Sequence, residues 1–517
     1  MIYEVNGQRV DSLTIDFSID ENWWGGLVAH GPEMPYGSAH FKFNQLDNAL
    51  LNQAQPLLIS SKGRYIWCEQ PISYQFDKNS LIVDSDHGKI ITGRSGKTLK
   101  SAYLEASERF FAPSGKMPDS LLFAKPQYNT WIELIYDQNE KDILDYAQAI
   151  IDNGLPPGVL MIDDNWQKDY GVWEFASDKF SSPKAMVEKL HGQGFKVMLW
   201  ICPFISADSE IFRELLAEGV LLMDGESPNR PALIRWWNGY SALLDFTNPK
   251  AKEWFKSRLD HLQHTYDIDG FKFDAGDLHF YNQGPIIGKR ADALPNDHMQ
   301  LYAEIGLDYP LNEYRACWKL GGQPLAQRLK DKAFNWEDLR TLIPGILAQG
   351  MMGYYFACPD MIGGGQYNSF LKLDSIDQEM IVRSAQTHAL MPMMQFSVAP
   401  WRILDAEHME ACKKAALLHE EFGDTLLSLA NHAATTGEPI VRPMEYVFPN
   451  QGYAQVIDQF MLGNDILVAP ALYKGMRKRK VFLPKGRWID ELGKKYRGGK
   501  SVEIEVPLER LPYFKKI

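Results

Sequence analysis

A (β/α)8 TIM barrel flanked by an N-terminal and a C-terminal β-sandwich is the fold class that this sequence predicts, and three changes of pattern predict it. Residues 1–118 alternate in hydrophobicity at strand spacing between turns, as in RYIWCEQPISYQF and SLIVDSDHGKIITGR, with Trp67 and Tyr74 in register. Residues 119–436 switch to short apolar strands separated by helical segments, the pattern of a parallel sheet covered by its crossovers. Strand-like runs return in 437–517, in QFMLGNDILVAPAL, KRKVFLPKGRWID and KSVEIEVPL.

In the central region GVLMIDDNW reads as a strand, SPKAMVEKLHGQGF as a helix and KVMLWICPF as the next strand. KAKEWFKSRLDHLQHTYD then leads as a helix into GFKFD. The helical run EACKKAALLHEEFGDTLLSLANHAATTG precedes the last domain. No internal repeat and no low-complexity linker interrupts the chain, so the three domains are expected to pack tightly.

The chain has 517 residues, more than one core accommodates, and 45% of them are hydrophobic. A net charge of -12 without a basic run argues against nucleic acid or an anionic membrane as partner. A neutral or cationic small molecule is the expected ligand. Five scattered cysteines, Cys68, Cys202, Cys317, Cys358 and Cys412, form no CxxC pair and read as reduced, buried thiols. No metal or cofactor is called for. The first twenty residues lack the basic start and apolar run of a signal peptide, and no segment is long and apolar enough to span a bilayer. The expectation is a cytoplasmic protein, unless a leader has been removed; whether it forms a homo-oligomer is left open.

The stretch IDGFKFDAGD places a lysine and two acids on an otherwise apolar strand. Side chains alternate along a strand, so Phe271 and Phe273 face one way while Lys272 and Asp274 face the other. Other predicted barrel strands also end in acids: Asp163 and Asp164 after VLMI, and Asp360 after GYYFACP. Any one such acid could cap a helix or brace a loop. Several at one barrel mouth suggest chemistry instead. Two carboxylates about 5 Å apart cleave a glycosidic bond with retention, one attacking the anomeric carbon and one protonating the leaving oxygen.

DIDGFKFDAGD resembles the nucleophile segment of glycoside hydrolase family 31, the retaining α-glycosidases. LPPGVLMIDDNW, GFKVMLWICPFI, WWNGYSALLDFTNPKAKEWF, NWEDLRTLIPGILAQGMMGYYFACPDMIGGG, GEPIVRPMEYVFPN and QFMLGNDILVAPAL resemble family segments in the same order. The resemblance covers residues from about 120 to the C-terminus, and the N-terminal region is compatible with it. It implies that Asp274 is the nucleophile, that Lys272 keeps it ionised and reaches a sugar hydroxyl, and that Asp277 supports the site from behind.

QRLKDKAFNWEDL has the family's spacing of an acid before a tryptophan and a helix, which implies Asp331 as acid/base and Arg315 as a sugar-holding arginine. Arg328 and Lys330 depart from the family pattern, standing where tryptophan and glycine are usual. Both should favour the Asp331 carboxylate over its acid. Trp200 and Trp236 fall where family tryptophans line the pocket for the sugar ring. Trp23 and Trp24 are expected to pack in the core or at a domain interface.

The adjacent acids in IDDNWQ are similar to the DDGWQ segment of α-galactosidases in related barrel families. The likeness implies that Asp163 and Asp164 grip the 4- and 6-hydroxyls of galactose through charge-assisted hydrogen bonds. Pro359 and Ser397 stand where many members place a sugar-binding histidine. The expected function is a retaining exo-α-galactosidase acting on a small oligosaccharide or α-galactoside. An α-glucosidase or α-xylosidase, a transglycosylase and a catalytically silent carbohydrate-binding homologue are the alternatives.

Overall fold

The computed structural model describes residues 2–5, 8–371 and 376–517. Residues 1, 6 and 7 of the expected N-terminal sandwich lie outside the described residues. Eight parallel strands form the central sheet: β1 (Gln127–Asn129), β2 (Val159–Ile162), β3 (Lys196–Ile201), β4 (Gly270–Phe273), β5 (Leu311–Tyr314), β6 (Gln327–Arg328), β7 (Ala357–Cys358) and β8 (Gln395–Phe396). Each pairs with its sequence neighbour from β1 to β7, and β8 returns to pair with β1. A bridge between Met361, just past β7, and Gln395 of β8 nearly closes the ring. The protein is a TIM barrel with sheet domains at both ends.

The register levels the site. Trp200 of β3 is opposite Lys272 of β4, which is opposite Glu313 of β5. One layer of the barrel interior therefore carries an indole, an ammonium and a carboxylate side by side. On the opposite face of β4, Phe273 stacks on Tyr314 with ring centroids 4.6 Å apart, and Phe271 meets Tyr309 edge-on at 5.2 Å. Burying those two rings fixes which face Lys272 presents inward.

Helices cross over between most strands, including Glu140–Asp152, Pro183–Gly192, Pro249–Tyr266, Pro295–Glu304 and Trp336–Met351. Between β5 and β6 the crossover is a two-residue strand, Cys317–Trp318, which joins the N-terminal sheet parallel to Gln53–Ala54. The regular strand-helix repeat expected there gives way because the N-terminal domain covers that part of the barrel wall. Gln53 donates to the carbonyls of Arg315 and Arg328, at 2.8 and 2.9 Å, satisfying backbone groups that a crossover helix would leave bare.

The N-terminal region is two packed sheets. One is built on Gln8–Asp16, Ser80–Ser85, Ser73–Asp77 and Phe41–Asn44, the other on Trp23–Leu27, Gln53–Ser60, Arg64–Trp67 and Ile91–Arg94. Its apolar interior is continuous with that of the barrel. The C-terminal sheets keep a separate core around Met461, Leu467, Val481, Trp488 and Phe514. All five cysteines are free and buried. Among the described residues no helix is long and apolar enough to cross a membrane.

Gly270 begins β4 in close contact with β5: a Cβ there would lie 1.9 Å from the Leu311 carbonyl oxygen and 2.6 Å from its Cβ. Gly270→Ala is expected to push the two strands apart at a cost of about 3 kcal/mol or more. Denaturant unfolding measures it; a cost below about 1 kcal/mol would show that the β4–β5 contact is soft.

Candidate active site

A cavity of about 370 Å³ opens at the C-terminal end of the barrel strands and is lined by Asp163, Asp164, Trp200, Lys272, Asp274, Arg315, Arg328 and Asp331. Seven of the eight residues that the sequence nominates thus meet in one concavity, with Arg328 added. They come from the ends of β2, β3, β4, β5 and β6, so only a closed barrel brings them together.

Asp274 follows directly on β4, where its N–H donates to the Ile201 carbonyl at 2.8 Å and its own carbonyl accepts from Tyr302 Oη at 3.1 Å. Its Oδ2 accepts from Trp200 Nε1 at 2.9 Å. Its Oδ1 accepts no hydrogen bond among the described residues and sits 3.5 Å from Arg315 Nε. Burial pushes this carboxyl up, but Arg315, Lys272, Arg328 and the Trp200 hydrogen bond outweigh burial and hold it well below the usual carboxylate range. Asp274 is an ionised carboxylate with one oxygen uncommitted, the state an attacking carboxylate requires.

Ala275 and Gly276 follow at φ of 58° and 75°, turning the chain sharply. A Cβ on Gly276 would strike the Tyr302 ring at 2.6 Å. The turn brings the Asp277 carboxylate under Arg315, 2.5 Å from its guanidinium. Arg315 is thereby held between Asp274 and Asp277, and its guanidinium also lies 5.3 Å from the ring centroid of Trp237.

Arg328, fully buried at the end of β6, contacts three acids. Its NH1 reaches Asp331 Oδ1 at 2.6 Å and Asp360 Oδ1 at 2.8 Å, and its Nε lies 3.3 Å from Glu313 Oε1. At Asp331 burial opposes ionisation, yet Arg328 and Arg315 prevail and lower it. Its side chain stays 36% exposed at the cavity wall. Asp360 is fully buried and pushed up to about 7, by burial first and by Asp331 next, against the pull of Arg328. The Asp360 carboxylate also accepts from the Lys332 and Gly365 N–H groups at 2.8 and 3.2 Å. It therefore braces the loops behind Asp331 and does not line the cavity.

The paired acids after β2 differ in how much acceptor capacity remains. Asp163 accepts from Lys272 Nζ at 2.7 Å and from the Asp164 N–H at 2.9 Å, leaving about half its lone-pair sites open. Asp164 accepts from four donors: the Asn165 N–H, Gln167, Tyr170 Oη and Asn238. Burial pushes Asp164 up to about 6 in spite of them.

One nominated residue lies elsewhere. Trp236 packs edge-on against Tyr170 and Phe204 with centroids 4.6 and 4.7 Å away, and its indole N–H donates to Ser241. It sits on the strand Leu233–Trp236, whose alternation turns it inward, and the hairpin turn after it exposes Trp237 to the cavity. In WWNG the second tryptophan therefore lines this cavity, while Trp236 lines only an adjoining concavity that shares Trp237, Arg315 and Asp331 with it. Trp23 and Trp24 are core residues of the N-terminal sheet. Ser397 accepts from the Ile132 N–H, away from the cavity wall.

Other parts of the wall had no sequence signal. Trp131 and Tyr136 after β1 and Tyr367 after β7 form an edge-to-face aromatic cluster, tied by the Trp131 indole N–H donating to the Gly365 carbonyl at 3.0 Å. Glu313 is buried beneath the site and accepts from Gln395 at 2.6 Å. Asn52, on the N-terminal domain, donates to the Arg315 carbonyl at 3.0 Å and accepts from the Lys330 N–H at 2.9 Å. That domain reaches the site through this loop. Among the described residues no group of His, Cys, Asp or Glu could hold a metal ion.

Strand-end carboxylates sharing one cavity at the mouth of a TIM barrel are the arrangement that double-displacement glycosidases use. Residues 122–422 match the Glycosyl hydrolases family 31 TIM-barrel domain and residues 437–516 the Glycosyl hydrolase family 31 C-terminal domain, so the chain belongs to family 31. It is 34% identical over 433 residues to the myogenesis-regulating glycosidase of Mus musculus, a match covering 81% of this chain and 60% of that one. It is 26% identical over 548 residues to an alpha-xylosidase of Emericella nidulans, covering 97% and 66%. The chain thus spans less than two thirds of the length of either relative. The fold superposes on a Flavobacterium johnsoniae GH31 dextranase complexed with glucose at a TM-score of 0.88 and 20% identity, covering all of this chain and 67% of that one.

The raised Asp164 carboxyl gives stability a sign. The folded state holds this proton more tightly than the unfolded state, so its contribution is full below the unfolded value of 3.8 and is lost as pH rises through about 6. Asp164→Asn is expected to gain on the wild type by about 2–3 kcal/mol between acid and neutral pH, read as the difference in denaturation free energy. A difference independent of pH would show that Asp164 ionises normally.

Proposed function

We propose that the protein is a retaining exo-α-glycosidase that releases terminal α-galactose by double displacement. The observation that carries this reading is the placing of the adjacent pair Asp163 and Asp164 on the wall of the cavity that holds Asp274 and Asp331. Asp274 attacks the anomeric carbon with its uncommitted oxygen while Asp331 gives a proton to the departing oxygen; Asp331 then takes a proton from water, which frees the sugar from Asp274. Family membership supports the glycosidase part of the reading, and names among the relatives favour keeping xylose in the comparison.

Asp331 meets the second half of this cycle as a ready base, because Arg328 and Arg315 hold it ionised. For the first half it must take up a proton as substrate excludes water from its exposed edge, since desolvation favours the neutral acid. At the far wall Asp163 has open acceptor sites for hydroxyls at carbons 4 and 6. Asp164 takes up a hydroxyl in place of one of its longer partners, Gln167 or Tyr170, each at 3.2 Å. Two adjacent acids can share one hydroxyl, the contact an axial 4-hydroxyl would need, and on this ground the reading prefers galactose to glucose.

A panel of aryl α-glycosides tests the assignment. The α-galactoside is expected to give the highest kcat/KM, with product released as the α-anomer by NMR. Asp274→Ala is expected to lower kcat by about 10⁴-fold or more, and Asp163→Asn to lower kcat/KM for the galactoside by about 10²-fold. Faster turnover of the glucoside or xyloside would reject galactose and keep the double displacement. Unchanged turnover in Asp274→Ala would reject both.

A further inference from the structure

A second concavity of about 330 Å³ adjoins the first and shares Trp237, Arg315 and Asp331 with it. Asp331 is thus on the wall of both. If Asp331 protonates the departing oxygen, this second space is where the leaving group lies, an assignment that rests on double displacement by Asp274 and Asp331.

The charges on this side are unevenly matched. Its two acids are already engaged, Asp277 with Arg315 at 2.5 Å and Asp331 with Arg328 at 2.6 Å. Two further cations on its wall, Arg235 and Lys330, are exposed, and neither side chain has an ion-pair or hydrogen-bond partner among the described residues. Both are held by their backbones. The Arg235 N–H donates to Gln283 Oε1 at 2.7 Å, and Gln283 Nε2 donates back to the Arg235 carbonyl at 2.7 Å. The Lys330 N–H is fixed by Asn52. His279 also lines the space, and burial pushes its imidazole down, towards the neutral form. Counting Arg235, Lys330 and Arg315 against Asp277 and Asp331 leaves one net positive charge on the leaving-group side. The catalytic cavity has four acids, Asp163, Asp164, Asp274 and Asp331, against Lys272, Arg315 and Arg328. In a chain of net charge -12, two unpaired cations on the wall beside the acid/base form a local field of the opposite sign.

The same space has an apolar floor. Trp237, 44% exposed and backed by the buried Phe280 with ring centroids 5.9 Å apart, offers with Leu51 a surface on which a ring can lie. An apolar floor with convergent cations fits a group that is flat or cyclic and carries negative charge.

We propose that the leaving-group side selects an acidic aglycone, a ring or sugar bearing a carboxylate, sulfate or phosphate, with Arg235 and Lys330 as the residues that read the charge. Trp237 carries the ring and Arg315 bounds it on the inner side. The glycone pocket remains suited to an uncharged sugar, so charge recognition falls on the half of the substrate that departs.

The test uses two aryl α-glycosides of matched leaving-group acidity, one carrying a carboxylate and one its methyl amide, on whichever glycone turns over fastest. At ~20 mM salt the charged substrate is expected to have about tenfold higher kcat/KM, a preference that collapses toward unity in ~0.5 M salt. In Arg235→Gln/Lys330→Gln the ratio of the two rates is expected to fall to about one, and in Lys330→Glu below one. Sulfated and phosphorylated versions of the same aglycone rank the anions. Equal kcat/KM for the two substrates in the wild type overturns the proposal, as does a preference that survives in the double variant. Labelling Asp274 with an activated fluorosugar separates the layers. A label without charge preference removes only the acidic aglycone; no label and no turnover remove the catalytic reading beneath it.

Discussion

The site depends on one buried guanidinium. Arg328 is 1% exposed, and an unpaired charge in that position would cost several kcal/mol. Its three acidic neighbours come from different stretches of chain: Glu313 on β5, Asp331 on the loop after β6 and Asp360 on the loop after β7. Satisfying Arg328 therefore sets the relative positions of three strand ends. Two of the three acids compete for its NH1. The competition is resolved by burial, which raises Asp360 to about 7 and leaves the more open Asp331 as the ionised partner. The carboxylate at the cavity wall is thus oriented by a charge that the cavity itself barely exposes.

The same logic distributes the other acids. Lys272 serves Asp163, Arg315 serves Asp274 and Asp277, and Arg328 serves Glu313, Asp331 and Asp360, while Asp164 has uncharged donors alone among the described residues. Both arginines are inserted between carboxylates that would otherwise repel. Lys272 stays charged because Asp163, with help from Asp274 and Glu313, outweighs the burial that would deprotonate it. The arrangement lets one small barrel mouth carry several carboxylates in distinct states: Asp274 held ionised, Asp164 near its midpoint in mild acid, and Asp360 pushed up by burial. Differences of this kind, produced by neighbours and burial, allow chemically identical groups to take different roles.

The N-terminal domain belongs to this architecture. Where a crossover helix is missing between β5 and β6, a strand of that domain closes the wall, and Asn52 and Gln53 bind the carbonyls of Arg315 and Arg328. Both arginines that orient the acids are therefore held from behind by the first domain. Separating the sandwich from the barrel would expose those carbonyls and loosen the residues that hold the two carboxylates.

Much of this was legible in the chain itself. Strand alternation in GFKFD assigned Phe271 and Phe273 to one face and Lys272 and Asp274 to the other, because a period of two leaves no other choice. Ordered family segments located Asp274, Asp331, Arg315 and Trp200, and seven of the eight nominated residues line one cavity. Other features depended on folding. A tryptophan pair in WWNG has no local signal for which ring faces the pocket; the inward turn of the strand before it chose Trp237. Asp360 looked like another strand-end site acid until its loop turned it onto Arg328. Trp131 and Tyr136 follow β1 while Tyr367 lies more than two hundred residues later, and they meet only when β1 and β7 are brought to the same rim. Sequence determined which residues reach the barrel mouth, because strand period and motif spacing are local. Charge states, partners and the direction of each loop were decided by tertiary structure, because burial and electrostatic neighbours exist only after the barrel closes.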